Sequence, residues 1–232
     1  MPGLALVRNS LIGAAHQIPS ACAESYKPWS PIPTTVVGSP PALLLPYRVH
    51  GLDYVAGETK TDDYRRISPF NQVPVIDDDG FIIAETGAIV LYIAEKAGVL
   101  IPANLEGRAR VTQWCCTALN NIEPTLLQIQ VINGGGEKTT GAQRLPGLVE
   151  RAREKFAVLE EQLSSRPYLA GEDFTVADIM MTTVLREIRK TDLLAPFLAL
   201  KDYFDRCQAR QTWQRTLKAY EVRMNAPEGA AH

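Results

Sequence analysis

Ser68–Lys96 reads SPFNQVPVIDDDGFIIAETGAIVLYIAEK. Two short runs rich in β-branched and aromatic residues, Val73–Ile76 and Phe81–Ala84, flank the tip Asp77-Asp78-Asp79-Gly80. Asp-Gly between such runs predicts a hairpin, because glycine accepts positive φ at no steric cost. Glu85-Thr86 then opens a helix carrying Ile89, Leu91, Tyr92 and Ile93, with Thr86 read as its N-cap. Pro74 stands at the head of a strand that belongs inside a sheet, where proline cannot donate to the ladder. A cis Val73–Pro74 bond is one reason for its presence. The first N–H groups of the helix at Thr86 lack intrahelical partners and attract anions. A turned-out strand end beside that helix end suits an extended, anionic, peptide-like ligand.

Upstream, Thr34-Thr35-Val36-Val37 reads as a first strand. Ser39-Pro40-Pro41 reads as a helix entry, with a helix over Ala42–His50 closed by Gly51. Leu52–Val55 reads as a second strand and Thr61–Ile67 as a connecting helical turn. The resulting order is β-α-β-α-β-β-α. Residues 1–33, with five prolines and little periodicity, are assigned as an irregular extension with a short helix near Leu11–His16.

Downstream, strand signals fade. Residues 98–105 read as a linker. Glu106–Asn133 is a long helical pattern kinked at Pro124. A Gly134-Gly135-Gly136 loop precedes a second amphipathic helix over Leu145–Leu163. Thr175 and Asp178 have capping-box spacing at the start of an apolar helix, with Phe174 and Ile179 at the staple positions. Helices over Ala195–Ala209 and Gln211–Tyr220 complete an all-helical domain over 106–224, and 225–232 is a frayed tail.

Composition narrows the function. The formal charge of -2 supplies no broad basic field for nucleic acid or anionic lipid. No apolar run reaches the roughly 20 residues of a membrane span, and the start has no sustained apolar stretch of the signal-peptide kind. The four cysteines show neither a CxxC pair nor zinc-ligand spacing. That usage fits a reducing compartment, and a cytoplasmic location is expected.

The run Gln72-Val73-Pro74, Asp79-Gly80, Glu85-Thr86 and Tyr92-Ile93-Ala94-Glu95 resembles the glutathione-binding half of the cytosolic glutathione S-transferases. The segment around Leu169-Ala170-Gly171 and Thr175–Asp178 resembles the signature of their helical domain. The resemblance spans roughly residues 34–222. It implies an α/β thioredoxin-like N-terminal domain over 34–97 followed by an all-α C-terminal domain. It also implies glutathione as co-substrate, no metal, a homodimer and a role in detoxification.

Carried over residue by residue, the resemblance implies five glutathione contacts. Val73 offers backbone N–H and C=O to the cysteinyl unit beside Pro74. Thr86 offers N–H and hydroxyl to the γ-glutamyl carboxylate. Glu85 faces the α-amino group, and Gln72 lies near the glycyl end. Singly, each has a structural reading: a turn proline, a cap, a surface acid. Family members activate the thiolate with a Tyr, Ser or Cys early in the domain, because a hydrogen bond to the charged sulfur lowers its pKa. Here Ser39 is the catalytic candidate and Tyr47 a poorer one. Ala42 stands where many members carry the hydroxyl, and no cysteine occupies the region, against thiol-disulfide activity. The electrophile site is expected near Gln113, Trp114 and Thr117. Asp178 reads as a structural cap. Three functions follow: a transferase joining glutathione to a small electrophile, a non-catalytic binding scaffold, and an isomerase or dehalogenase using glutathione as cofactor.

Overall fold

The computed structural model describes residues 4–7, 47–53, 56–135 and 140–224. The chain divides into two compact units, Met1–Ala97 with Gln211–His232, and Gly98–Arg210. Residues 211–224 thus group with the first unit, whereas their helical pattern assigned them to the all-helical domain.

The first unit holds a four-stranded sheet in the order β2-β1-β3-β4. Strand β1 (Leu4–Val7) runs parallel to β2 (Tyr47–His50) and antiparallel to β3 (Val75–Asp78), which pairs antiparallel with β4 (Phe81–Ala84). Helix α1 spans Asp62–Ile67 and α2 spans Thr86–Ala97. The helix at Gln211–Met224 is α8 in chain order. Tyr64, Val73 and Val75 form a small core against which Leu52, Ile67 and Ala84 pack. A mixed sheet with one parallel and two antiparallel pairings, closed by a hairpin and a helix, is the thioredoxin-like arrangement that the motif order implied.

Three expectations are corrected here. Leu4–Val7, inside the supposed irregular extension, is an interior strand. Its four apolar residues suit a strand with neighbours on both sides. Tyr47–His50 is a strand, not the end of a helix. Pro46 stands directly before it and biases the chain away from helix, while Tyr and Val favour extended structure. Leu52 and Asp53 lie outside any strand. The expected strand Thr34–Val37, the helix near Leu11–His16 and the candidate Ser39 lie outside the described residues.

The second unit is helical. Helix α3 (Leu105–Cys116) runs through a π turn (Thr117–Ile122) into α4 (Glu123–Asn133). A single kinked helix was expected. Proline at 124 has no N–H and crowds the carbonyl four residues back, and the wider turn accommodates both. Helices α5 (Thr140–Ser164), α6 (Val176–Leu185) and α7 (Leu198–Ala209) follow, with a 3-10 turn at Arg186–Ile188 between the last two. Every residue of α6 is buried, and it packs against α3, α4, α7 and the π turn. The linker prediction holds a helix start: Asn104 Oδ1 caps α3 by accepting the Gly107 N–H at 2.6 Å.

Asp178 organises this core. Thr175 and Asp178 form the expected capping box of α6. The carboxylate also reaches beyond its own helix. It accepts the Leu169 N–H at 3.0 Å, the Thr175 N–H at 2.8 Å, the Thr175 hydroxyl at 3.1 Å and the Tyr203 hydroxyl at 3.0 Å. Burial pushes this carboxyl up, and the four donors pull it back.

Candidate functional site

The site is built on the hairpin register. Val75 pairs with Ala84, Ile76 with Ile83 and Asp77 with Ile82. The last pair of that ladder, Val75 with Ala84, leaves the Gln72–Pro74 segment and the Glu85-Thr86 helix start at the same end of the hairpin. The turn that permits this register holds Asp79 at φ 55 and Gly80 at φ 91. Asp77 Oδ1 accepts the Gly80 N–H at 2.7 Å. An Asx-type turn of this kind is what Asp and Gly are suited to make.

The approach to Val73 is latched. Ser68 Oγ donates to the Gln72 carbonyl at 2.8 Å and accepts the Gln72 N–H at 2.9 Å. The Tyr64 hydroxyl donates to the same carbonyl at 2.8 Å. Burial pushes the Tyr64 phenol up to about 12, so it remains a donor at neutral pH. Asn71 takes the left-handed conformation, φ 57, that lets the chain double back, and asparagine is among the residues that tolerate it. The Val73–Pro74 peptide is cis, and both residues are buried. Gln72 is partly exposed beside them.

Across the ladder, Glu85 links β4 to α2 at φ 71, a left-handed conformation unusual for a non-glycine residue. Its carbonyl accepts the Ile89 N–H at 2.9 Å. Thr86 is therefore the first helical residue and not the cap outside it, as the sequence suggested. Its side chain is buried, while Glu85 is exposed. The first turn of α2 contains no acidic residue, so the positive end of its dipole is not offset from within the helix. A strained residue at the junction of a strand and an anion-attracting helix end is a frequent mark of a ligand site.

A cluster that sequence inspection did not single out ties hairpin to helix. The Asp78 carboxylate accepts the Tyr92 hydroxyl at 2.5 Å and pairs with Lys96. Hydrogen bonds from Lys96 and Tyr92 hold the Asp78 carboxyl below its usual range. The Phe81 and Tyr92 rings lie 5.1 Å apart. The clue was the i, i+4 spacing of Tyr92 and Lys96, which puts both on one face of α2.

The remaining candidates fall elsewhere. Trp114 is buried, Gln113 is exposed and Thr117 half-buried, all in the second unit. The described cysteines, Cys115, Cys116 and Cys207, also lie there. Burial pushes the Cys115 and Cys207 thiols up to about 12, so neither is a ready nucleophile. Among the described residues no group of three or more His, Cys, Asp or Glu is placed to hold a metal, and no helix is long and apolar enough to cross a membrane.

Comparison with known proteins converges on one family. Residues 35–95 match the model for the glutathione S-transferase N-terminal domain, and residues 122–211 match that for the C-terminal domain. The disulfide-bond oxidoreductase YfcG of Escherichia coli is 31% identical over 188 residues, 75% of this chain and 85% of the relative. Glutathione S-transferase F10 of Arabidopsis thaliana is 28% identical over 183 residues, 74% of this chain and 85% of the relative. A crystal structure of a glutathione transferase family member from Pseudomonas fluorescens, with two glutathione bound, superposes with a TM-score of 0.75 at 24% identity. It covers 93% of this chain and 92% of that one.

Proposed function

The chain belongs to the glutathione S-transferase family, and from that membership we propose that it binds glutathione along the Gln72–Pro74 segment and the N-terminus of α2, and joins the glutathione thiolate to a small electrophile. What supports this reading is the β3–β4 pairing, whose last pair Val75–Ala84 leaves the latched Gln72–Pro74 segment and the start of α2 at one end of the hairpin. The backbone of Val73 takes the cysteinyl unit in the manner of an added strand. The first-turn amides of α2 and the Thr86 hydroxyl take the γ-glutamyl carboxylate. Glu85 faces the α-amino group, and Gln72 lies at the glycyl end.

In the proposed reaction the thiolate forms a carbon–sulfur bond and the electrophile releases its leaving group or takes up a proton. Ser39 is the hydroxyl proposed to donate to the sulfur and favour its charged form. A homodimer in the cytoplasm completes the proposal.

A second reading is favoured by the likeness to YfcG, a protein named as a disulfide-bond oxidoreductase. The buried, high-pKa cysteines Cys115 and Cys207 are poorly suited to that chemistry, so the thiols would come from glutathione. One glutathione thiolate attacks a substrate disulfide and releases one thiol. A second glutathione resolves the mixed disulfide, giving glutathione disulfide and the second thiol. The two readings separate in parallel assays of the purified protein with glutathione, one with an aryl halide and one with a small dialkyl disulfide. Turnover of the halide alone supports conjugation, and turnover of the disulfide alone supports reduction. Bound glutathione whose thiol pKa is unshifted, with neither turnover, supports the scaffold function instead.

A further inference from the structure

Two hydroxyls hold the Gln72–Val73 peptide from outside its own strand, and neither belongs to the contacts proposed for glutathione. Both come from α1. Tyr64 is the third residue of that helix and Ser68 its C-cap, four positions apart. The Thr61 hydroxyl starts the helix by accepting the Tyr64 N–H at 3.2 Å, and the Ser68 N–H closes it on the Tyr64 carbonyl at 2.8 Å. Tyr64 is buried in one cluster with Val73 and Val75, and Leu52, Ile67 and Ala84 pack on it. Ser68 is 1% exposed. Packing therefore aims both hydroxyls.

They converge on Gln72. Its carbonyl accepts from Tyr64 and from Ser68, each at 2.8 Å, and its N–H donates to Ser68 Oγ at 2.9 Å. The backbone of Gln72 is thus engaged at both its donor and its acceptor, and its side chain is what it offers a ligand. The same carbonyl belongs to the peptide unit that carries the Val73 N–H. Two donors on that oxygen draw electron density toward it and make the N–H of the unit a stronger donor, a cooperative gain of about 10–30% per bond.

We propose that Tyr64 and Ser68 are positioning residues for the cysteinyl unit of glutathione, fixing and polarising the Gln72–Val73 peptide so that the Val73 N–H meets the ligand already oriented. This rests on the reading of Gln72–Thr86 as the glutathione site. In this arrangement neither hydroxyl touches the ligand, and both act through Gln72. A peptide set in advance spares the ordering that a mobile segment undergoes on binding. Ser68 has the larger part, because it holds both backbone groups of Gln72 where Tyr64 holds one.

Tyr64→Phe keeps the ring and its packing, and Ser68→Ala removes only the hydroxyl. Titration of the full chain with reduced glutathione should show Kd raised about threefold in Tyr64→Phe and about tenfold in Ser68→Ala. The amide nitrogen resonance of Val73, read by NMR without ligand, should move upfield in both variants as its peptide loses polarisation. Tyr64→Phe leaves the Ser68 bonds in place and carries the test by itself if Ser68→Ala does not fold. Unchanged Kd in the variants, with glutathione bound by the wild type, overturns the positioning role and leaves the site reading standing. Weaker binding with the Val73 resonance unmoved assigns the loss to general damage and overturns the role as well. A wild type that does not bind glutathione overturns the site reading, and this inference with it.

Discussion

Replacing Asp178 with alanine tests whether this residue is a simple helix cap or the hub of the helical core. The side chain is fully buried and accepts four hydrogen bonds, two from Thr175, one from the Leu169 backbone and one from the Tyr203 hydroxyl. Losing a cap alone costs about 0.5–2 kcal/mol. The alanine variant does more, because Leu169 and Tyr203 are themselves fully buried and their donors are left without an acceptor. An orphaned buried donor costs about 1–3 kcal/mol. The losses are not additive, since the donors share one acceptor and a water can enter the space. A total of about 3–5 kcal/mol follows, the range seen when one partner of a buried charged network is removed. For a chain of this size, at about 2–4 °C per kcal/mol, the melting temperature should fall by roughly 6–20 °C. Asp178→Asn should lose less, because it keeps one acceptor oxygen. The assay is thermal and urea unfolding of wild type and both variants, with glutathione binding measured well below the transition. A loss under about 1 kcal/mol for the alanine variant would refute the hub reasoning. Selective loss of glutathione binding at unchanged stability would refute the structural assignment itself.

Thr86→Ala should weaken glutathione binding roughly three- to tenfold, the size of one hydrogen bond, with little change in melting temperature; titration of both proteins checks it. Glu160 caps α7 from α5, its carboxylate accepting the Ala199 N–H at 3.0 Å and the Leu200 N–H at 2.8 Å. Because Phe197 supplies no side-chain cap, Glu160→Ala should cost about 1–2 kcal/mol in a urea unfolding series. The Asp78 carboxyl is held below its ordinary 3.8 by Lys96 and Tyr92, so its stabilisation is present above that value and is lost as pH falls through the folded pKa. Melting temperatures between pH 5 and pH 2 should therefore fall less steeply in Asp78→Asn than in the wild type.

What could be read in the sequence was what the chain decides locally. The hairpin followed from Asp79-Gly80 between two β-type runs, the α6 start from the Thr175–Asp178 spacing, and the Val73–Pro74 turn from a proline that no ladder could use. Leu4–Val7 escaped because its parallel partner Tyr47–His50 lies some forty residues away and the intervening prolines dominate the pattern. The helix read over Ala42–His50 failed at Tyr47 for a related reason. A four-residue strand gains its stability from a neighbour and not from its own periodicity. The latch of Ser68 and Tyr64 on Gln72 was hidden because it requires the left-handed turn at Asn71. Within the site, residue types were visible, whereas the Val75–Ala84 pairing that leaves Gln72–Pro74 and Thr86 at one end belongs to the folded hairpin.

Calorimetric titration of the purified full chain with reduced glutathione tests the central claim most directly. The account predicts saturable binding with at least one site per chain, weakened by Thr86→Ala. Absence of saturable binding, or binding indifferent to that substitution, would contradict the assignment of the Gln72–Thr86 segment as the glutathione site.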